Sequence, residues 1–395
     1  RKGCRARRRR QARLGHRYAW VDGALIFKEN EKLLATLALF FIKRHPGMMT
    51  PFIIPQRATM KAFAFTKSLP IDHPDALHAV ELPLPTPEPH DIRVAVSAVS
   101  VNPVDAKVRK SALPDGGEPR VLGYDAVGVV DAVGSAVTRF QPGDRVWYAG
   151  SIARQGSNAE YQLVDERIAS LAPKSLSDAQ AAALPLTAIT AWELLFDRLE
   201  LGMRDTKGKT LLVVGAAGGV GSILIQLAKQ LTDITVIATA SRPESQAWVT
   251  SLGADAVIDH HQPLDEALKG AGYEQVDMVI SLNQTDHHFE AIINALKPQG
   301  KLALIDDPEL IDVRKLKLKS LSLHWELMFT RPLFTTEDIA KQHDLLSEVA
   351  AMVDSGRLTT TLGEVLGPIN ADNLTRAHAL IESNRTVGKL VLEGF

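Results

Sequence analysis

Apolar and polar residues alternate along Ile92-Arg93-Val94-Ala95-Val96-Ser97-Ala98-Val99, the period of a half-buried strand. The stretches 127–134 and 144–148 read the same way, separated by turn residues such as Gln141-Pro142-Gly143-Asp144. Short strands at close spacing predict a barrel-like β domain over 60–185. From residue 186 onward the pattern changes. A strand at 210–214 runs into a glycine-rich turn and then a helix through Leu231. Further strands are predicted at 234–238, 256–259, 277–282 and 301–305, with a helix at 243–252. Strands alternating with helices imply right-handed crossovers and a doubly wound parallel sheet over 186–319. The segment 320–395 carries a helix at 339–355 and a closing strand at 389–393, and is expected to return to the first domain. The fold class is α/β.

Composition adds a division at the start of the chain. The 395 residues suffice for two domains, and 45% hydrophobic with 23% charged residues is a soluble, globular balance. The formal net charge of -1 conceals an asymmetry. Residues 1–59 hold 14 Lys/Arg against 3 Asp/Glu, and the remainder holds 31 against 43. An acidic body repels a phosphate backbone, so nucleic acid is excluded as a partner. Arg7 to Arg10 is a run of arginines, and 33–42 is an apolar run too short for the ~20 residues that cross a bilayer. Basic then apolar resembles a secretory signal, yet residue 1 is not methionine and no small-residue cleavage site follows Ile42. The expectation is that 1–59 stands outside the fold, that Met60 is the natural start, and that the protein is cytoplasmic with no membrane partner. The single cysteine, Cys4, lies in this leader, so the core offers no thiolate for zinc and no disulfide.

The turn Gly215-Ala216-Ala217-Gly218-Gly219-Val220-Gly221 carries the chemistry. A tight turn needs glycine's freedom in φ, a pyrophosphate needs bare backbone to approach, and a helix N-terminus offers it free N–H groups. The required strand precedes the turn and an apolar helix follows it, so Gly215, Ala217, Gly218, Gly219, Val220 and Gly221 are the predicted phosphate cradle. The second strand then chooses the dinucleotide. Sites for NAD place a carboxylate at its end, on the ribose hydroxyls. Here the strand ends Ala238-Thr239-Ala240-Ser241-Arg242. Ser241 can hydrogen-bond a 2′-phosphate and Arg242 can pair with it, which predicts NADP(H) as the cofactor. Asn283, after the fourth strand, reads either as a cofactor neighbour or as a loop cap.

Several stretches together resemble the medium-chain dehydrogenase/reductase superfamily. They are Ser100-Val101-Asn102-Pro103-Val104-Asp105, Leu122-Gly123-Tyr124-Asp125, Pro142-Gly143-Asp144-Arg145-Val146, Gly156-Ser157-Asn158-Ala159-Glu160-Tyr161, the run from Leu186 to Glu193, the glycine turn, and Gly388-Lys389-Leu390-Val391-Leu392. They span 60–395 in family order. The likeness is nearest to the quinone oxidoreductase (zeta-crystallin-like) branch and its zinc-type alcohol dehydrogenase-like proteins. It implies a GroES-like catalytic domain wrapped on a Rossmann domain, an active site in the cleft between them, and a homodimer through the edge of the Rossmann sheet. The strand-like 317–325 is the candidate edge, an internal strand being the other reading.

The resemblance also sets out the site. Zinc-dependent members place a cysteine where Asn102-Pro103-Val104-Asp105 stands, and a Gly-His-Glu motif where Gly123-Tyr124-Asp125 stands. No metal ligand is therefore assigned. The doublets His260-His261 and His287-His288 read as surface or cofactor-edge residues, since neighbours on a strand point to opposite faces. Without a Lewis acid, an ordinary ketone loses its main charge stabiliser. A quinone or α,β-unsaturated carbonyl needs less, because the charge delocalises onto an oxygen that hydrogen-bond donors can hold. By the resemblance, Asn102 and Thr190 lie near the nicotinamide with Asp105 close by. Related quinone reductases carry tyrosine in an Asp-x-Tyr-x-Arg pattern where Lys107 stands here. Lys107, Tyr124 and Tyr148 are the candidate donors, each with an ordinary surface or core reading beside it. Two alternatives stay open at this point: a zinc-dependent alcohol dehydrogenase, and a non-enzymatic NADPH-binding structural or regulatory protein.

Overall fold

The period-two segments fold as strands, and their turns fall where glycine, proline and aspartate cluster. The computed structural model describes residues 18–21, 24–27, 59–111, 117–203 and 205–395. The chain divides into two units, Arg1–Arg57 and Ala58–Phe395. In the first, β1 (Tyr18–Val21) and β2 (Ala24–Phe27) pair antiparallel; the arginine run and the apolar run 33–42 lie outside the described residues.

The second unit opens with eight strands, β3 (Thr59–Phe65), β4 (His78–Pro83), β5 (Asp91–Val101), β6 (Arg120–Val121), β7 (Ala126–Val133), β8 (Arg145–Tyr148), β9 (Tyr161–Asp165) and β10 (Ala169–Leu171). Six more follow, β11 (Thr210–Val214), β12 (Thr235–Thr239), β13 (Ala256–Ile258), β14 (Val276–Ser281), β15 (Leu296–Leu304) and β16 (Ser322–Trp325), then β17 (Leu362–Val365) and β18 (Lys389–Glu393). The sheet β10-β8-β7-β5-β18-β17, with β9 also on β5, and the small sheet β4-β3-β6 form the barrel-like half. The order β13-β12-β11-β14-β15-β16 is the doubly wound sheet, parallel throughout. It reverses direction at β11, which is where such sheets bind ligands.

Helices Asp178–Ala182 and Pro185–Trp192 join the halves and are almost wholly buried. The stretch Asp178–Arg198 is long and apolar enough to cross a membrane, but most of it lies inside the fold. Their core is continuous from Trp147 and Tyr124 through Leu184 and Ile189 to Leu211 and Val213. A second cluster, with Leu212, Ile258 and Phe289, covers the other face of the parallel sheet. β18 runs antiparallel to β5, with Leu390 opposite Val101. β18 thus lies in the barrel-like sheet, whereas β16, also beyond residue 319, belongs to the parallel one.

One strand needs correction. The segment 317–325 was read as strand-like, but Val313–Lys319 is a 3₁₀ helix and only Ser322–Trp325 is extended. Asp312 caps the turn by accepting from Arg314 N, and Ser320 ends it in the left-handed region with φ of 50°. Lys319 hydrogen-bonds the carbonyls of Ile293, Asn294 and Leu296 at the end of a neighbouring helix, which fixes its direction. β16 lies at the edge of the sheet, paired with β15 alone.

Candidate active site

Beyond Val214 the chain turns at Gly215, whose φ of 78° suits glycine. Its N–H donates to Thr239 Oγ1 at 3.0 Å, so the end of β12 fixes the turn. A Cβ on Gly221 would stand 2.3 Å from the Ala216 carbonyl oxygen, so helix and turn meet backbone to backbone. Gly218 is the N-cap of helix Gly219–Leu231, and no side chain caps it. The first N–H groups of the helix are left for an anion, at the positive end of the helix dipole. Ala217 and Val220 are half-buried around the turn. The Asn283 side chain lies over Gly215, its Oδ1 2.5 Å from where a Cβ would stand. These features fit a dinucleotide pyrophosphate. At the end of β12, Ser241 is half-buried and Arg242 exposed. Arg242 Nη2 donates to the Arg385 carbonyl at 2.8 Å.

Beside the turn lies a buried polar network. Asp125, fully buried, accepts at Oδ2 from Ser100 Oγ and Asn102 Nδ2, both at 2.8 Å, and from Lys389 Nζ at 3.1 Å. Its Oδ1 accepts from Leu186 N at 2.7 Å, capping helix Pro185–Trp192 from the barrel side. Lys389 Nζ also donates to Val101 O at 3.2 Å and to Asn102 Oδ1. Every polar atom of the pair is thus satisfied, which burial of two charges demands. The lysine stem lies against Gly219, with Cδ 2.6 Å from a Cβ placed there, and Thr187 Cγ2 adds a second contact at 3.1 Å. Gly388 N donates to Ala217 O at 3.0 Å. The network therefore joins barrel, helix and glycine turn.

The predicted residues divide accordingly. Asn102 is at the centre. Asp105 is not aimed at a ligand: Oδ2 accepts from Asn102 N at 2.8 Å and Oδ1 from Gly123 N at 2.9 Å. It closes the first turn of helix Pro103–Ser111 from within, and that frees the Asn102 amide for Asp125 and Lys389. Burial pushes its carboxyl up to about 7, against the pull of those N–H bonds and Lys389. Lys107 is two residues on, about 200° around the helix, while Asp105 and Arg109 share the buried face. It is exposed and pairs with Asp307 at 2.6 Å, outside the network. Thr190 is buried with its hydroxyl on Leu186 O at 2.8 Å, so Thr187 is the helix threonine seen against the turn. Tyr124 is buried, its ring edge-on to Phe329 at 5.4 Å. Burial pushes its hydroxyl up to about 12, with Arg120 nearby working in the opposite direction. Burial also raises the Tyr148 hydroxyl well above its ordinary range. Tyr148 lies in the barrel core with no bond to the network.

Asp125, Thr187, Thr239 and Lys389 were not among the residues selected from the sequence. Lys389 carried the clearest signal, since a lysine inside Gly388-Lys389-Leu390-Val391-Leu392 must find a buried partner.

Residues 88–174 match the alcohol dehydrogenase GroES-like domain and 252–392 the zinc-binding dehydrogenase family. A zinc-type alcohol dehydrogenase-like protein of Staphylococcus epidermidis is 40% identical over 336 residues, covering 84% of this chain and 99% of that one. An NADPH-dependent alkenal/one oxidoreductase of Arabidopsis thaliana is 32% identical, over 76% of this chain and 71% of its own length. A Rhizobium etli structure, provisionally named a zinc-dependent alcohol dehydrogenase, superposes with TM-score 0.83 at 54% identity, covering 85% and 98%. The Escherichia coli quinone oxidoreductase complexed with NADPH gives 0.71 at 25% identity, covering 84% and 99%.

The site does not fit the zinc that some of these names carry. Asn102 Oδ1 and Asp125 Oδ2 are already turned to the Lys389 ammonium, which a dication alongside would repel. Tyr124 packs on Phe329 in place of an imidazole. Among the described residues no three His, Cys, Asp or Glu side chains converge as a metal site.

Proposed function

The chain belongs to the medium-chain dehydrogenase/reductase superfamily of oxidoreductases, in its quinone oxidoreductase-like branch, and we propose that it reduces a quinone or α,β-unsaturated carbonyl with NADPH and without zinc. The observation that carries this reading is the buried Lys389–Asp125–Asn102 network where metal-dependent relatives would need ligands. The uncapped helix after Gly218 holds the pyrophosphate, and Arg242 with Ser241 the 2′-phosphate. When bound, NADPH supplies a hydride to the acceptor carbon.

The chain's residues position and stabilise. Asn102 is locked between Asp125 and Lys389, which holds this side of the site rigid. The Tyr124 hydroxyl stays protonated at neutral pH, so it can donate to an oxygen as enolate or phenolate charge develops. A proton then reaches the product from solvent or from that hydroxyl. Two copies pair through β16, whose outer edge is free among the described residues and is flanked by exposed Trp325, Leu327 and Phe334.

The acceptor test is NADPH oxidation with a panel of quinones, enals, ketones and alcohol products, with and without chelator. Turnover of quinones or enals, unaffected by chelation, is expected. Stoichiometric zinc whose removal abolishes turnover would sink the reading, and tight NADPH binding with no acceptor at all would favour a non-enzymatic role. For the cofactor, Arg242→Ala is expected to raise the NADPH dissociation constant roughly tenfold, one charge-assisted contact, while NADH changes less than twofold. Equal effects on both would remove Arg242 from the phosphate site.

A further inference from the structure

Helix Pro185–Trp192 continues into a π-helical turn, Glu193–Arg198, a distortion that recurs at functional sites. Two glutamates meet there almost without water. Glu193 opens the turn and is 1% exposed; Glu326 directly follows β16 and is 3% exposed. Their carboxyl groups lie within hydrogen-bonding reach of each other. Glu326 Oε2 accepts from Arg198 Nε at 2.7 Å, but its Oε1 is buried and finds no donor. Ionised carboxyl groups only accept, so two that meet out of water repel unless one carries a proton. The surrounding charges leave that need in place. Arg331 faces Glu193 with one nitrogen, and shares another between Asp197 at 2.8 Å and Asp338 at 3.0 Å. Lys341 lies 3.6 Å from Asp338. His324, two positions before Glu326 on β16, lies near Arg198, and burial lowers its pKa. Glu193, Asp197, Glu326 and Asp338 therefore outnumber Arg198, Arg331 and Lys341 by one charge, which one proton on the glutamate pair would balance.

The cluster ties both ends of one short loop to the π turn. Glu326 is held at the start of 326–331 and Arg331 at its end. Between the ties, Gln342 Nε2 donates to Met328 O at 2.6 Å, and the Phe329 ring meets Tyr124 edge-on. We propose that Glu193 and Glu326 share one proton, and that this protonated pair positions the 326–331 loop and, through Phe329, the Tyr124 ring. Both glutamates are then positioning residues: they act through Phe329 and touch no substrate. Burial first, and Glu326 next, push the Glu193 carboxyl up to about 9, with Arg331 opposing. The proton is therefore held at neutral pH. Its loss sets two buried negative charges against each other and loosens the loop from the turn. The positioning role rests on the reading of Tyr124 as the hydroxyl that meets the acceptor oxygen. The shared proton does not depend on that reading.

Glu193→Gln and Glu326→Gln test it, since each puts an amide N–H where the shared proton lies. Infrared spectra at neutral pH, with carbon-13 in glutamate alone, should show a protonated carboxyl band in the wild type that is lost in both variants. Thermal unfolding reads the same proton. The unfolded chain releases it near the ordinary 4.5 and the folded chain near 9, so this contribution to stability is full below 4.5 and is lost as pH rises to 9. The wild-type midpoint should therefore fall more steeply across that window than either variant's. In steady-state kinetics with an enone or quinone, wild-type kcat/KM should fall above pH 9 by about tenfold per pH unit, and Glu193→Gln should lack that limb. A merely structural pair would change the midpoints and leave the limb in place, which overturns the positioning role. A wild type without the infrared band overturns the shared proton, and that band stays readable if a variant fails to fold. Unchanged turnover in Tyr124→Phe would instead remove Tyr124 from the chemistry and leave the proton standing.

Discussion

Replacing Lys389 with methionine is expected to cost about 3–5 kcal/mol of stability, the loss seen when one partner of a buried ion pair is removed. Methionine keeps the length and the apolar stem against Gly219, so the packing change is small. The ammonium is lost, and Asp125, fully buried, keeps a negative charge held by Ser100, Asn102 and Leu186 alone. The Asn102 carbonyl oxygen also loses its donor. Those three remaining donors place the expected loss at the lower end of the range. Adding Asp125→Asn removes the uncompensated charge, so the double variant should recover at least half of the loss. Urea unfolding at pH 7, read as a four-member cycle, measures this directly. A single variant within 1 kcal/mol of wild type would show that the pair does not hold the cleft together, and a double variant no better than the single would locate the cost elsewhere.

Gly221→Ala should cut NADPH affinity about 100-fold. The added carbon would lie 2.3 Å from Ala216 O and 2.6 Å from Ala216 C and Cα. All three are backbone atoms of the turn itself, which cannot swing aside. Overpacking of this kind costs up to about 3 kcal/mol, or two decades in binding. Gly219→Ala is the informative contrast. Its Cβ meets the Lys389 stem and the Thr187 methyl, side chains that can shift. Its effect should be at least fivefold smaller on NADPH titration, and an equal loss in the two variants would refute the backbone argument.

The parallel half was legible because its signals are local. A period change, a glycine spacing and a strand end each lie within a few residues, and the five strands from 210 to 304 were expected with ends only a few residues adrift. The edge was misread at 317–319 for the same reason. Leu316-Lys317-Leu318-Lys319 alternates as a strand does, yet Leu316 is buried and Leu318 is 94% exposed. What decided its form was a tertiary contact, Lys319 on the carbonyls of a helix end some 25 residues earlier. The site divides in the same way. The cradle and Asn283 were within reach of pattern reading. Asp125 and Lys389 both sat in stretches that marked the family, but they are 264 positions apart. Nothing local says that one satisfies the other. Lys107, read either as a site donor or as an exposed lysine, lies on the exposed side of its helix and pairs with Asp307, while Asp105 and Arg109 share the buried face.

The docking of β18 also orders events during synthesis. Asn102, Asp125 and the glycine turn are all made before Lys389, so Asp125 cannot meet its cation until β18 has been made. The parallel sheet can form as its own strands emerge, but the cleft is not electrically balanced until this late strand pairs with β5. Completion of the network is thereby made contingent on synthesis through Lys389, and a nascent chain stopped before that strand would lack the cation that faces Asp125.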